Sequence, residues 1–379
     1  MAEPDTPLIA GYRTESGKTL PAHVRALISA TGAALAELRG GRFVDDVRLS
    51  APAKNAYFLP DDTLLAQEAS SLGIRASTDL FGGVVPFPFV RTKVITHSTM
   101  EDPAERPVGW SCRFADLVRD VVLPGYAAFD PRDACRAAAQ LLRIGRVRVK
   151  PPAEASGRGQ VIVQTEADCQ AAVAKYDRDE LRRNGLILET NLERVQTLNI
   201  GQVTVGEFTT SYFGVQRVAI DGQGAADYRG SDLVCVRGGW EALGRLALPD
   251  SIRLGVNQAR CYDQAVDVYP GFLASRRNYD VGQGIDAQMR WRSGVLEASW
   301  RVGAASTAEL AALNLFKQEP DLHVVHASAV KECDADALVP RDAVVHFRGH
   351  DTDGLPILRY TAVIRKEYAK MDQGLGRTC

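Results

Sequence analysis

A short stretch near residue 300 carries the side chains that are best suited to chemistry in this chain. Within residues 285–303, apolar residues alternate with Glu297, Ser299 and Arg301, and such alternation is typical of a β-strand. Side chains two residues apart lie on the same face of a strand, so these three share a face. Carboxylate and hydroxyl oxygens suit Mg²⁺, and a guanidinium binds phosphate through two parallel hydrogen bonds.

The residues before this strand predict a β-hairpin that would add a second carboxylate. Ser293-Gly294 favours a tight turn between two alternating runs. With a two-residue turn at Arg292-Ser293, Asp286 would lie opposite Ser299, on the face of Glu297. We therefore predict that Asp286, Glu297 and Ser299 bind a metal ion. The alternative is an exposed hairpin face, on which mixed charges are ordinary.

A second candidate site is a glycine-containing loop that follows a strand ending in lysine. The strand ends at Lys150, and Gly157 and Gly159 follow it closely. Glycine lets backbone amides approach an anion because no Cβ is in the way. The loop could therefore bind phosphate, although ordinary turn chemistry also explains a Gly-Arg-Gly sequence. Further on, an apolar run that ends at Glu189 predicts a buried strand with a carboxylate at its end.

The sequence Glu297-Ala-Ser299-Trp-Arg301-Val-Gly303 resembles the Glu-x-Asn-x-Arg-x-Gly signature of ATP-grasp enzymes, which have an Asp one strand earlier. Ser299 departs from the family's Asn. The chain also resembles an uncharacterised bacterial family of unknown function within this superfamily. The resemblance implies an α/β (α+β) architecture, with an ATP-grasp fold that follows a Rossmann-like pre-ATP-grasp domain. It further implies an enzyme that uses ATP and Mg²⁺, or Mn²⁺, to activate a carboxylate as an acyl phosphate.

The same resemblance implies a role for each candidate in chain order. Lys150 would reach the α- and β-phosphates, while the loop at Gly157 and Gly159 would cover the γ-phosphate. Arg301 and Lys150 would offset charge on the transferring phosphoryl group. Adenine would meet the backbones of Leu188 and Thr190 and the side chain of Leu192, with Glu189, or alternatively Glu193, near the ribose or the exocyclic amine.

Two further basic positions remain open as alternatives. In the family, a Lys at the start of a helix contacts the nucleotide phosphates. Arg113 is nearest to that position here, and Lys93 is the other candidate. Arg277, beside Arg276, would suit a substrate carboxylate or acyl phosphate, although paired arginines are also common on exposed surfaces.

The elements that must position these residues can be outlined from helix and strand signals. Residues 20–38 predict a helix, and residues 1–108 an N-terminal α/β domain without a dinucleotide-binding Gly-x-Gly-x-x-Gly motif. Residues 109–379 would form the ATP-grasp domain, with a lid at about residues 130–190. Asp130 followed by Pro131 predicts a helix start. Ser306 and Glu309 predict a capping box at a later helix.

Bulk properties exclude several classes of protein. Of the 379 residues 24% are charged and the net charge is −2, so no nucleic acid or anionic membrane is expected as a partner. The seven cysteines are dispersed without Cys-x-x-Cys, which argues against a disulfide framework and a zinc cluster. The chain starts without a basic segment and apolar run, and no stretch approaches the roughly 20 apolar residues of a membrane span. We therefore predict a cytoplasmic protein.

These observations lead to one main prediction of function. We expect an ATP-dependent ligase that forms a C–N or C–S bond between a small-molecule carboxylate and an amine or thiol. An ATP-grasp kinase and a nucleotide-binding protein without catalysis are the alternatives. The sequence leaves a homodimer open.

Overall fold

The computed structural model describes residues 6–14, 20–45, 56–152, 159–220, 226–351 and 354–368. In chain order its strands are β1 (Leu8–Tyr12), β2 (Arg42–Val44), β3 (Ala56–Pro60), β4 (Leu64–Leu65), β5 (Gly83–Val85), β6 (Gly125–Ala128), β7 (Val147–Lys150), β8 (Val161–Val163), β9 (Leu186–Thr190), β10 (Glu193–Val205), β11 (Phe208–Ile220), β12 (Ala226–Arg237), β13 (Leu273–Ala274), β14 (Arg276–Ile285), β15 (Trp291–Ser299), β16 (Leu322–Glu332), β17 (Val344–His350) and β18 (Pro356–Tyr368).

The α-helices are α1 (Ala22–Arg39), α2 (Ala66–Leu72), α3 (Arg113–Val118), α4 (Pro131–Leu142), α5 (Glu166–Val173), α6 (Arg178–Asn184), α7 (Trp240–Gly244), α8 (Asp250–Ala265) and α9 (Ser306–Gln318). Short 3₁₀ helices cover Ser77–Asp79, Pro88–Arg91, Lys93–Thr96, Arg119–Val121 and Val266–Val268. Among the described helices none is both long and apolar enough to cross a membrane.

Four sheets organise these elements. Strands β2-β1-β3 form a parallel N-terminal sheet, and β13-β5-β4 form a small sheet beside it. Strands β6-β9-β7-β8 make an antiparallel sheet over residues 125–190. The largest sheet has eight strands in the order β15-β14-β10-β11-β12-β16-β18-β17, all paired antiparallel. The candidate chemistry lies on this large sheet and on the four-stranded sheet.

Helix ends follow local signals in two of three cases. Helix α1 ends at Gly40 in the left-handed conformation (φ 64°), which glycine adopts readily at the end of a helix. Asp130 caps α4 by accepting a hydrogen bond from the Arg132 N–H, and Pro131 occupies the first turn. The capping box predicted at Ser306 is wrong. Helix α9 begins after Ala305 without a side-chain cap, and Glu309 is completely buried instead.

The hairpin of β14 and β15 differs from the prediction in its turn. The turn spans residues 286–290, where Met289 has a positive φ of 59°, and Arg292 and Ser293 lie inside strand β15. Asp286 builds this turn, because its carboxylate accepts hydrogen bonds from the N–H groups of Gln288 and Arg290. The register therefore changes, and Asp286 is not opposite Ser299.

The N-terminal region contacts the end of the hairpin closely. A Cβ on Gly83 would lie 2.7 Å from the Trp300 Cβ, and one on Gly82 would lie 3.2 Å from the Trp300 carbonyl oxygen. Trp300 is almost fully buried and packs edge-on against Phe272. Glycine at these two positions lets the N-terminal backbone approach the segment that follows Glu297.

Candidate active site

Two carboxylates face each other across neighbouring strands of the large sheet. Asp280 of β14 is the direct cross-strand partner of Glu297 of β15. Leu296, which precedes Glu297, is the extra residue of a β-bulge. Burial and repulsion from Glu297 raise the pKa of Asp280 to about 6, although hydrogen bonds from Gln216 and Asn278 oppose the rise. Like charges directly opposite each other destabilise a sheet, so this pair calls for a cation.

A lysine ammonium supplies positive charge at this pair. Lys93 is buried on the 3₁₀ helix Lys93–Thr96, and its Nζ forms an ion pair with Glu297. Lys93 also acts electrostatically on Asp280 and on Lys150. Arg113, the other candidate, is exposed at the start of α3. Of the two, the structure places Lys93 beside the carboxylates.

Neutral amides surround Asp280. Its Oδ1 accepts hydrogen bonds from the side-chain amides of Asn199 (2.8 Å) and Asn278 (3.0 Å), and its Oδ2 accepts one from Gln216 (2.9 Å). Asn278 is also the direct cross-strand partner of Ser299. An amide side chain is therefore present opposite the position where Ser299 departs from the ATP-grasp signature.

The donors around this pair fit a divalent cation. They are hard oxygen ligands of the kind that Mg²⁺ prefers, and a metal ion would relieve the repulsion that raises the pKa of Asp280. Within the described ranges no group of three or more His, Cys, Asp and Glu side chains could hold a metal alone. This agrees with the usual coordination of Mg²⁺, which is bound by one or two carboxylates together with substrate phosphates and water.

A buried ion-pair cluster lies on the four-stranded sheet. Lys150 Nζ is 2.5 Å from Glu189 Oε1, and His97 Nε2 is 3.2 Å from Glu189 Oε2. Burial alone would raise the pKa of Glu189, but Lys150 and His97 outweigh it and lower that pKa to about 2. Burial lowers the pKa of Lys150 against the attraction of Glu189, with Lys93 and Arg148 adding repulsion. Lys93 thus links this cluster to the carboxylate pair.

Close packing holds His97 against strands β6 and β9. A Cβ on Gly125 of β6 would lie 2.7 Å from His97 Nε2 and 2.7 Å from the Leu188 carbonyl oxygen. The Thr190 N–H donates to the Pro124 carbonyl, so this donor is already used and only the carbonyl of Thr190 remains for the predicted contact with adenine. Leu188 and Leu192 are both buried. Their roles toward a nucleotide stay predictions.

The loop between β7 and β8 is described only in part. Gly159 has a φ of +67°, a conformation that glycine adopts without strain. Gly157 lies outside the described residues. The phosphate-binding role of this loop stays a prediction.

Three predicted site residues, Asp286, Arg301 and Arg277, have their ion-pair partners outside the carboxylate pair. Asp286 is in the hairpin turn, where its Oδ2 accepts hydrogen bonds from Arg290 Nε (3.1 Å) and Arg292 Nε (2.8 Å). This placement contradicts its assignment as a metal ligand next to Glu297. Arg301 is partly exposed, with Nε 3.6 Å from Asp62 of the N-terminal region.

Arg277 does not face the carboxylates either. Alternate side chains of β14 point to opposite faces, which separates Arg277 from Asp280. Its Nη1 donates to Asp263 Oδ1 of helix α8 at 2.9 Å, and its guanidinium lies over the Phe272 ring. We therefore correct the expectation that Arg277 binds the substrate, because its charge is already paired with α8.

Arg276, its neighbour, holds the end of the hairpin in place. It is 1% exposed and makes two hydrogen bonds to the fully buried Glu309 of α9, from Nε (2.8 Å) and Nη2 (2.7 Å). Its Nη1 donates to the Arg301 carbonyl at 2.6 Å. Arg276 thereby joins β14, helix α9 and the segment that follows Glu297.

Sequence reasoning missed Asp280, Asn278 and His97. Arg276, Asn278 and Asp280 alternate as polar residues on one strand face, and this signal could have identified Asp280. The predicted turn at Arg292-Ser293 paired Asp286 with Ser299, and this register does not bring Asp280 to Glu297. His97 has no comparable signal, because its contact with Glu189 joins residues that are 92 positions apart in the sequence.

Comparison with known proteins identifies the class of fold. The chain is similar to the solved structure of N5-carboxyaminoimidazole synthetase from Staphylococcus aureus complexed with ADP, with a TM-score of 0.55, 12% identity and coverage of 94% of this chain and 93% of that one. It is also similar to phosphoribosylamine–glycine ligase from Thermotoga maritima, with a TM-score of 0.53, 12% identity and coverage of 95% and 93%. The fold is ATP-grasp, which confirms the predicted fold class.

The family is established by sequence. A family model described as "Protein of unknown function (DUF3182)" matches residues 12–361, so the chain belongs to the DUF3182 family. No curated protein matches the chain.

Proposed function

We propose that this protein is an ATP- and Mg²⁺-dependent ligase that joins a small-molecule carboxylate to an amine or a thiol. The carboxylate would take the γ-phosphoryl group of ATP, giving an acyl phosphate and ADP. The amine or thiol would then attack the acyl carbon and release inorganic phosphate. The ATP-grasp fold supports this class of reaction, and so do the similar solved structures, which are a ligase and a synthetase.

One observation carries the proposal. Asp280 and Glu297 are cross-strand partners, and Lys93 on Glu297 is electrostatically coupled to the buried pair of Lys150 and Glu189. Adjacent carboxylates that can share a cation, beside buried ammonium groups, are suited to the phosphates of a metal-bound nucleotide. Lys93 supplies one positive charge to these two carboxylates, whereas a purely structural ion pair would need only one carboxylate.

In the proposal each residue has a distinct task. Asp280 and Glu297 hold the divalent cation, with Ser299 or Asn278 as a neutral neighbour, and Lys150 and Lys93 attract the phosphates. When bound, the cation would neutralise charge on the β- and γ-phosphates. Glu189 orients the Lys150 side chain and opposes the lowering of the Lys150 pKa by burial, because a buried ammonium needs a partner.

The proposal also includes a moving lid. Residues of about 130–190, within the ATP-grasp domain at 109–379, would close over the nucleotide and exclude water, while residues 1–108 would form the pre-ATP-grasp domain. Limited proteolysis tests this arrangement. Bound Mg²⁺ and a non-hydrolysable ATP analogue should slow cleavage within 130–190 more than cleavage within 326–368.

Product analysis tests the reaction itself. Purified protein is incubated with Mg²⁺, ATP and a panel of small acids, each with and without amines or thiols, and ADP and inorganic phosphate are measured separately. A ligase releases both products in equal amounts only when acid and nucleophile are present together. ADP without inorganic phosphate, with a phosphorylated acceptor, would identify a kinase. Nucleotide binding without either product would identify a non-catalytic binding protein.

Paired variants connect that reaction to the carboxylates. Asp280→Asn should lower turnover by about 100-fold or more, while Asp286→Asn, in the hairpin turn, should retain it. Equal activity of these two variants would overturn the assignment of the metal site. Circular dichroism spectra of both proteins provide the control for folding.

A further inference from the structure

The two carboxylate oxygens of Asp280 differ in their hydrogen bonds. Among the described residues, Oδ1 accepts from both Asn199 and Asn278, whereas Oδ2 accepts from Gln216 alone. A carboxylate oxygen has two lone pairs, so Oδ1 is fully used and Oδ2 keeps one lone pair for a cation. The asparagine amides therefore decide which oxygen of Asp280 is available.

The orientation of the Asn199 amide depends on Ser231. The Ser231 hydroxyl donates to Asn199 Oδ1 at 2.5 Å, and Asn199 Nδ2 donates to Asp280 Oδ1 at 2.8 Å. If the amide turned over, its oxygen would face the carboxylate and its NH₂ group would face the serine hydroxyl hydrogen. Ser231 is 0% exposed and Asn199 5%, so loss of this bond would leave a buried polar group unpaired.

Tyr228 fixes the direction of the Ser231 hydroxyl. The Tyr228 hydroxyl lies 2.8 Å from Ser231 Oγ. A serine hydroxyl has one hydrogen, which Ser231 gives to Asn199, so Tyr228 is the donor to Ser231. Burial raises the pKa of Tyr228 to about 12, so this tyrosine keeps its proton at neutral pH. Tyr228, Ser231 and Asn199, which we call the relay, thus form a directed chain of hydrogen bonds that ends on Asp280.

Two local features of the large sheet bring the relay together. Residues three apart on a regular strand lie on opposite faces, but a β-bulge at Arg229 brings Tyr228 and Ser231 to one face. Strand β11 separates β12 from β10. Gly214, the partner of Asn199 on β11, has no side chain that would stand between Asn199 and Ser231. Bulges re-aim side chains in this way and are common next to active sites.

We propose that Ser231 is a positioning residue for the divalent cation. Acting through Asn199, it holds Asp280 so that Oδ2 is the oxygen that binds the cation, although Ser231 lies three strands away from Asp280 in the sheet. This inference rests on the proposed function, because it requires a cation at Asp280 and Glu297. Loss of partners outside the ligand shell of a metal typically costs about 10–100-fold in affinity. Ser231→Ala should therefore weaken cation binding.

Binding of Mn²⁺ without nucleotide tests this role. The full chain is titrated with Mn²⁺, the free ion is measured by electron paramagnetic resonance, and Asp280→Asn shows which part of the binding belongs to the candidate site. Ser231→Ala should raise the Kd of that part by about tenfold. Ser231→Thr, which keeps the hydroxyl, should restore a Kd near that of the parent. An unchanged Kd in Ser231→Ala would overturn the inference alone, whereas absence of Asp280-dependent binding in the parent would overturn the proposed metal site together with it.

Ser211 provides a matched control on the same sheet. It is also 0% exposed, and its hydroxyl donates to a side-chain amide oxygen, that of Gln202, at 3.2 Å. Gln202 accepts its other hydrogen bond from the Trp240 N–H, outside the relay. Ser211→Ala should therefore keep the parental Kd for Mn²⁺. Equal weakening in Ser211→Ala and Ser231→Ala would overturn the inference, because it would reflect the general loss of a buried hydrogen bond.

Further variants test the route through Asn199. Asn199→Ala should weaken Mn²⁺ binding, and the addition of Ser231→Ala should weaken it no further, because both residues act in one chain. Additive losses would overturn this route. Tyr228→Phe covers the case in which Ser231→Ala does not fold. It removes only the first donor of the relay and should raise the Kd for Mn²⁺ by about twofold or more. In that case, a parental Kd in Tyr228→Phe would overturn the inference.

Discussion

Breaking the buried pair of Arg276 and Glu309 should cost far more stability than breaking a surface pair. Arg276 is 1% exposed and Glu309 0%, and Tyr212 donates a further hydrogen bond of 2.7 Å to Glu309. Glu309→Gln keeps the size of the side chain but leaves the guanidinium charge unpaired. Removal of one partner from a buried ion pair costs about 3–5 kcal/mol.

A matched control is available on the surface. Glu241 pairs with Arg260, and these side chains are 74% and 38% exposed. Glu241→Gln should therefore change the free energy of unfolding by less than about 1 kcal/mol. Urea denaturation, followed by circular dichroism, compares Glu309→Gln, Glu241→Gln and the parent.

A double variant tests the explanation through charge. Arg276→Met combined with Glu309→Leu removes both charges, and such apolar replacements are often neutral or stabilising relative to the ion pair. The double variant should therefore be more stable than Glu309→Gln. A similar loss of stability in Glu309→Gln and Glu241→Gln would refute the reasoning, because it would mean that burial does not amplify the cost of the unpaired charge.

The remaining predictions concern the candidate site. Asp280→Asn should lower Mg²⁺-dependent ADP release by about 100-fold or more, since loss of partners outside the ligand shell already costs about 10–100-fold, whereas Asp286→Asn should stay near the parent rate. Lys150→Met should raise the Kd for ATP by about tenfold or more in calorimetric titration, and an unchanged Kd would place Lys150 outside the nucleotide site. Ser299→Ala should raise the Mg²⁺ concentration for half-maximal activity and Ser299→Asn should not; identical curves for the parent and Ser299→Ala would exclude Ser299 as a ligand. The lowered pKa of Glu189, about 2 against a usual 4.5, means that its ionised form stabilises the fold above pH 4.5 and that this stability is lost as the pH falls toward 2. In the parent, the free energy of unfolding should fall by about 3 kcal/mol through this group as the pH falls, and Glu189→Gln should lack this contribution. Urea denaturation between pH 5 and about 2.5 measures the difference.

Local signals made the fold accessible from sequence. Asp130 and Pro131 start a helix and Gly40 ends one for reasons that lie within a few residues. Such features depend on backbone conformation and strand alternation, which a short stretch of sequence determines. The ATP-grasp fold was predicted from a resemblance, in which the Glu297-x-Ser299-x-Arg301 sequence follows the Lys150 loop and Glu189 in the order of that family.

Cross-strand register was not accessible in the same way. The hairpin turn depends on the carboxylate of Asp286, which binds two backbone N–H groups, and not on the Ser293-Gly294 pair. Register then decides which acidic residue meets Glu297, and a changed turn replaces Asp286 by Asp280. Glu309 shows the same limit. Its spacing from Ser306 matches a capping box, but the buried Arg276 of strand β14 binds it.

The order of strands places the proposed metal-binding residues at one edge of the large sheet. Asp280 and Glu297 lie on β14 and β15 at that edge, whereas β18 and β17 lie at the other edge. Substitutions on β17 and β18 can therefore accumulate while β14 and β15 keep their pairing. During evolution, the C-terminal strands could be remodelled without loss of the carboxylate pair. Enzyme engineering could follow the same route, by diversifying exposed positions of β17 and β18 in a chain whose proposed metal-binding residues are left unchanged.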